Sequence, residues 1–250
     1  MRMNQPIPNE WENVNESTVA LIITKRDGSK CRFLIDSEYY EICKQYHWCM
    51  RSGYAASGRS PNNLFLHRLI LNLAGCAIPP KYQVDHIDGD VTNNRKTNLR
   101  ICTAQNNCRN TKRRINSPKI IGVRKDLRCK NSWRAQIYTD KGEKLEKTYK
   151  DETLAILQRL VWELTYFGEF APQMKLVEQD YPYLLNYFGV RDTMTFNTDI
   201  TIIKEIGDSL LVDKHCPCSI VKNENTICPC LPCRTKTHCH CSLFVPKSKE

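Results

Sequence analysis

Two oxygen donors and an imidazole lie close together in the stretch "VDHIDGDVTNNRKTNLRICTAQNN": Asp85, His86 and, some twenty residues on, Asn107. A carboxylate and a carboxamide suit a hard divalent cation, Mg²⁺ or another ion such as Mn²⁺, which keeps several waters and can reach a phosphate oxygen directly. His86 follows Asp85 on an extended backbone, so it projects to the opposite side and can take a proton from water. A second constellation is sulfur. Cys216-Pro-Cys218, Cys228-Pro-Cys230, Cys233 and Cys239-His-Cys241 crowd the C-terminal part of the chain.

The oxygen constellation needs a particular frame. Asp85 and His86 end an apolar approach, Asp88 and Gly89 make a turn, and a second short strand runs from Asn98 to about Cys102. Thr103 can then cap a helix, because its hydroxyl accepts from a backbone N–H of the first turn; Asn107 falls one turn inside. The spacing predicts a hairpin followed by a helix. The basic connector "NTKRRINSPK" comes next, and Arg109, Lys112, Arg113 and Arg114 are placed to track phosphates.

Composition sets the wider bounds. The 250 residues carry a formal net charge of +10, which favours a polyanionic partner, nucleic acid first, because each Lys or Arg on a phosphate releases a condensed counterion. No apolar run resembles a signal peptide, and none approaches the roughly 18 residues of a membrane span, so a cytoplasmic setting is expected, with no membrane partner. In a reducing compartment clustered cysteines imply metal or redox chemistry rather than a disulfide scaffold. Cys230 and Cys233 have the spacing of a zinc pair, and His215, His238 and His240 add donors, so one tetrahedral zinc is a reading the residues allow. The earlier Cys31, Cys43, Cys49, Cys76, Cys102, Cys108 and Cys129 are scattered and read as small buried hydrophobes.

The expected fold class is α+β, in several small modules: a β-rich region over 1–59 with no evident chemistry, the hairpin and helix over 60–112, a three-stranded sheet with one helix over 117–172, and a cysteine-rich module over 187–250. In the third, Trp133, Ala135 and Ile137 alternate with Arg134, Gln136 and Tyr138, giving one apolar and one polar face. Leu154, Leu157, Leu160, Val161 and Leu164 form a helical stripe expected to cover the apolar face, starting near Asp151 and ending at Gly168. The polar face has the width of a ribbon that enters the DNA major groove.

With these residues in view, the 60–112 segment resembles the HNH nucleases of group I intron homing endonucleases and their free-standing relatives. The resemblance implies a ββα-metal fold, with His86 as general base, Asp85 and Asn107 as metal ligands, and Asn98 organising the loop that orients the histidine. The upstream "LHRLI" adds His67 as an accessory catalytic residue. Asn106 departs from the Glu or Gln often found there, which weakens the capping box. Residues 117–172 resemble the AP2 DNA-binding domain through "GVRK", "WRAQI" and the closing helix; this implies Arg124, Arg134, Gln136 and Tyr138 as contacts to double-stranded DNA, beside the connector's Arg113 and Arg114. Asp126 stands where a basic residue is common.

The last 60 or so residues resemble the catalytic chain of ferredoxin:thioredoxin reductase, through the CPC, CPC and CHC motifs in order, eight residues between the last two, and "SLF" after them. That implies a 4Fe-4S cluster held by Cys216, Cys228, Cys230 and Cys239, redox-active thiols at Cys218 and Cys241, and ferredoxin or thioredoxin as partners. "NTDITIIKEIGDSLLVDK" supplies a packing helix. Only nine residues separate the first two motifs, fewer than usual, and Cys233 is an additional thiol. The combined expectation is a homing-type, metal-dependent DNA endonuclease of a bacterial or phage mobile element, carrying an iron-sulfur domain. Its rivals are a disulfide reductase with an attached DNA-binding or mobility module, and a DNA-binding regulator whose cluster senses redox state.

Overall fold

The sequence TVALIIT offers no polar side, and a strand buried on both faces belongs in the middle of its sheet. It does so here: β1 (Glu10–Asn15), β2 (Thr18–Thr24) and β3 (Lys30–Asp36) form an antiparallel sheet with β2 in the centre. The structure is a computed structural model and describes residues 8–58, 63–109, 120–127, 129, 131–190, 192–219, 222–235, 239 and 241–247. The expected phosphate-tracking residues Lys112, Arg113 and Arg114, and the histidines His238 and His240, lie outside the described residues. The chain divides into two units, 1–112 and 113–250.

In the first unit a short helix, α1 (Tyr40–Cys43), leads to a second sheet of β4 (Cys49–Arg51), β5 (Tyr54–Ser57) and β6 (Leu64–Phe65), and then to α2 (Leu66–Leu73). The hairpin β7 (Gln83–His86) and β8 (Leu99–Cys102) is followed by α3 (Ala104–Arg109), the predicted strand-turn-strand-helix. Thr103 caps that helix: its Oγ accepts from the Asn106 N–H at 3.2 Å. The separation expected at residue 59 is absent. Val19, Leu21, Ile23, Phe33 and Ile35 of the first sheet share one core with Trp48, Leu66, Ile70, Val84 and Leu99, so the N-terminal region is the wall of the nuclease hairpin. The join is long-range. The β3 edge accepts the loop after β7, through Leu34 N–H to Thr92 O and Asn94 N–H to Leu34 O, both 2.8 Å.

In the second unit β9 (Val123–Lys125), β10 (Trp133–Tyr138) and β11 (Lys144–Tyr149) form an antiparallel sheet with β10 central, backed by α4 (Glu152–Phe167). Asp151 caps α4 by accepting from the Thr153 N–H at 2.7 Å, and Gly168 ends it at φ +55°. The leucine stripe does not cover the sheet as expected. Ala155, with Ile156 and Trp162, packs on Val123 and Ala135, and the small alanines let helix and strand approach closely. Leu157, Leu160, Val161 and Leu164 face the other way, into a core with the C-terminal elements. The reason is that α4 is apolar around most of its circumference, so two layers can bury it.

Those elements are α5 (Met174–Asp180), β12 (Met194–Phe196), α6 (Ile200–Val212), α7 (Leu231–Thr235) and β13 (Phe244–Pro246), with β12 paired to β13. The expected packing helix is α6, capped by Asp199 and buried through Ile200, Ile203 and Leu210. Gly207 lets it lie directly on the Tyr183 ring; a Cβ there would overlap the ring carbons at 2.2–2.8 Å. Because Cys216, Cys228, Cys230 and Cys233 belong to this core, the sheet segment and the cysteine module share α4 rather than meeting at a linker. Among the described residues no helix is long and apolar enough to cross a membrane.

Candidate active site

The period of two along β7 sends Gln83 and Asp85 to one face and His86 to the other. On the first face the Asp85 carboxylate is buried, and Arg100, directly opposite on β8, holds its Oδ2 from Nε at 2.9 Å and Nη2 at 2.8 Å. Asn107 reaches the same face from α3, its Nδ2 donating to Gln83 Oε1 at 2.7 Å. Because Asn107 spends its nitrogen on that contact, its amide oxygen remains the atom suited to a cation. Asn107 thus meets Gln83 on the face of β7 that also carries Asp85; Arg100 and Gln83 were not anticipated.

On the other face His86 is 4% exposed. Its Nε2 lies 3.2 Å from Asn94 Oδ1. The amide cannot be turned round without loss, since Asn94 Nδ2 donates to the carbonyls of Val91 and Thr92 at 3.3 and 3.2 Å. An amide oxygen only accepts, so the neutral ring carries its hydrogen on Nε2 and its basic lone pair on Nδ1. Burial lowers the His86 pKa from the ordinary 6.5, more than the bond to Asn94 and the carboxylates of Asp88, Asp85 and Asp90 raise it.

Asn98 was expected to organise the loop that orients the histidine; its own bonds go to Asp88 and to the Asn93 carbonyl. Its Oδ1 accepts from the Asp88 N–H at 3.0 Å, and its Nδ2 donates to Asp88 Oδ1 and Asn93 O at 2.9 and 2.8 Å. The residue that touches the ring is Asn94. The paired asparagines of "TNNRK" were the available signal, and nothing local distinguishes one that knots a loop from one that orients an imidazole.

His67, in the first turn of α2, stands edge-on to His86 with ring centroids 5.5 Å apart. Tyr54 of β5 completes the group, 5.1 Å from His67 and 6.2 Å from His86. So the segment that looked free of chemistry contributes an aromatic wall. His67 is 8% exposed and its buried Nδ1 has no hydrogen-bond partner among the described residues. Burial, helped by His86 and Arg68, pushes its pKa down to about 3. The unfolded chain therefore takes up a proton below pH 6.5 that the folded chain refuses. His67 contributes fully above pH 6.5, and its contribution is lost as the pH falls from 6.5 towards 3, at up to about 1.4 kcal/mol per pH unit. His67→Phe is expected to flatten that part of the stability profile, measured by urea unfolding at pH 7.5, 5.5 and 4.5; equal slopes for parent and variant would refute it.

In the sheet of the second unit, Arg124 and Arg134 sit opposite each other, and Tyr138 is 57% exposed. The Arg124 guanidinium donates to Gln136 Oε1 at 3.3 Å. Arg134 does not face solvent as expected. It is buried and bidentate on Asp126, with Glu146 at 3.6 Å. Asp126, read from sequence as a lost basic contact, is the counterion that a half-covered arginine requires.

The seven C-terminal cysteines converge. Cys216 and Cys218 thiols are 2.8 Å apart and those of Cys239 and Cys241 3.4 Å; Cys216 also meets Cys241, and Cys233 meets Cys239. Cys216, Cys228, Cys230 and Cys233 are buried, whereas Cys218 is exposed. The Cys233 backbone N–H donates to the Cys230 sulfur, the kind of contact a thiolate ligand receives. Among the described residues no three His, Cys, Asp or Glu side chains are arranged to hold a single metal ion.

Comparison with known proteins agrees with both constellations. Residues 64–109 match the HNH endonuclease family, and residues 195–250 match the family described as ferredoxin thioredoxin reductase catalytic beta chain. The chain belongs to the HNH endonucleases. It is 30% identical over 147 residues to a protein of Acanthamoeba polyphaga mimivirus named "Uncharacterized HNH endonuclease L560", over 57% of this chain and 74% of that one. No solved structure matches. The two family matches leave residues 110–194 between them.

Proposed function

We propose that the protein is a homing-type DNA endonuclease that hydrolyses phosphodiester bonds with one divalent ion. What supports the reading most is the opposed pair on β7, a carboxylate on one side and a neutral imidazole with its lone pair set by Asn94 on the other. Asp85 and Asn107 fit a hard cation, because one carboxylate and one amide oxygen leave room for the waters and phosphate that Mg²⁺ retains. Bound there, Mg²⁺ or Mn²⁺ would stabilise charge on the scissile phosphate and the leaving oxygen.

His86 takes the proton of the attacking water at Nδ1, Asn94 keeps the ring turned for it, and Asn98 keeps the loop closed. His67 and Tyr54 hold the imidazole from behind. The β9–β11 sheet reads double-stranded DNA through Arg124, Gln136 and Tyr138, while Arg134 acts from within by holding Asp126.

The C-terminal module is read as a 4Fe-4S domain with Cys216, Cys228, Cys230 and Cys239 as ligands, which the convergence of buried thiols on one core fits. The exposed Cys218 favours a second reading, thiol-disulfide exchange with Cys241 as its partner and ferredoxin or thioredoxin as redox partners. One anaerobic preparation tests all three. Plasmid cleavage should require Mg²⁺ or Mn²⁺ and stop with EDTA, iron and sulfide should be present in equal amounts, and a dithiol-disulfide assay reports the reductase. Cleavage undiminished in EDTA would overturn the single-ion mechanism.

A further inference from the structure

Cys233 has no counterpart in the motifs that assign ligands to the other thiols, and it is buried more completely than most of them, at 1% exposure. It lies on α7, three residues after Cys230, and the Arg234 N–H to Cys230 O bond of 3.0 Å closes the turn between them. Cys230 immediately precedes α7 and Cys233 lies in its first turn, so the turn carries both cysteines three residues apart. Across from it the Cys233 thiol is in hydrogen-bond contact with the thiol of Cys239. Cys216, Cys228, Cys230 and Cys233, with the half-buried Cys239 and Cys241, thus share one core, six thiols where a cubane cluster uses four.

We propose that Cys233 is an alternate iron ligand, able to occupy the coordination position otherwise held by Cys239. The exchange is balanced: one iron–sulfur bond to Cys239 breaks and one to Cys233 forms. The Cys233 proton passes to the departing Cys239 thiolate across their contact, and no electron is transferred. A second thiol in contact with the first retains the iron when one lets go. The inference rests on the iron-sulfur reading.

The test uses the full chain, purified anaerobically, with iron and sulfide per chain and the visible absorption spectrum as readouts. Cys239→Ala and Cys239→Ser are expected to keep most of the parent's iron and sulfide, with a shifted absorption band. Cys233→Ala is expected to keep it as well. The double variant Cys233→Ala with Cys239→Ala should fall to the level of Cys228→Ala. Loss of iron in both Cys239 variants, with far-UV circular dichroism like that of the parent, would overturn the role of Cys233 while leaving the cluster intact as a reading. A parent that carries zinc and no sulfide would overturn both.

Discussion

His86→Ala is expected to cleave plasmid DNA about 10²–10⁴-fold more slowly than the parent at neutral pH, the range that a positioned general base contributes. The geometry gives the reason. The ring is buried between Asn94, His67 and Tyr54, so nothing else in the loop offers a neutral nitrogen at that place. The cavity left by alanine is ring-sized, and added imidazole should restore part of the rate. DNA affinity, measured without the metal ion, should change little, because the role proposed for His86 is with the attacking water and not the duplex. Cleavage at the parental rate without imidazole would remove His86 from the mechanism.

Glu163→Ala is expected to destabilise the second unit by about 3–5 kcal/mol, the range for leaving one partner of a buried ion pair alone. Glu163 is 0% exposed, and its carboxylate takes Arg159 at 2.8 Å, the Gln173 side chain at 2.8 Å and the Gln173 N–H at 3.1 Å. Burial raises the Glu163 pKa against the pull of Arg159, so the pair holds its charges under strain of solvation. Arg159 in turn donates to Gln136 O at 2.8 Å, and Gln173 binds Ile121 O and N–H at 3.3 and 2.9 Å. The network ties helix, sheet and the turn before α5 together. Gly122 is part of the same fit, since a Cβ there would stand 2.5 Å from Gln136 O. Replacing both charges, Arg159→Met with Glu163→Leu, should cost far less than Glu163→Ala alone, as measured by urea unfolding. A loss below about 1 kcal/mol for Glu163→Ala would show that the pair is solvated or replaced by water.

The hairpin and helix of the nuclease were legible because their signals are local: a turn at Asp88-Gly89, a cap at Thr103, an asparagine one turn on. Asp85 on β7 and Asn107 in the first turn of α3 could be placed by spacing alone. Asn94 could not, because what holds it is the edge of β3, sixty residues earlier, and pairing between distant segments leaves no period in either one. For the same reason the N-terminal region looked idle, although Tyr54 and the core under α2 come from it. Arg134 was misjudged by a rule that is sound on average. Alternation tells which face a side chain leaves from, and only the neighbouring Asp126 and Glu146 decide whether it stays in solvent. The leucine stripe of α4 was read as one side of a two-layer module, because nothing in a helical period says how many layers it serves.

That helix has a consequence for how such a chain can evolve or be dissected. A protein that reads as beads on a string invites cutting between the beads, at about residue 172. Here the cut would strip Leu157, Leu160 and Leu164 of their cover, and the shortened piece would present a greasy flank to its surroundings. Removing the cysteine-bearing elements would therefore require rebuilding the helix that also backs the β9–β11 sheet.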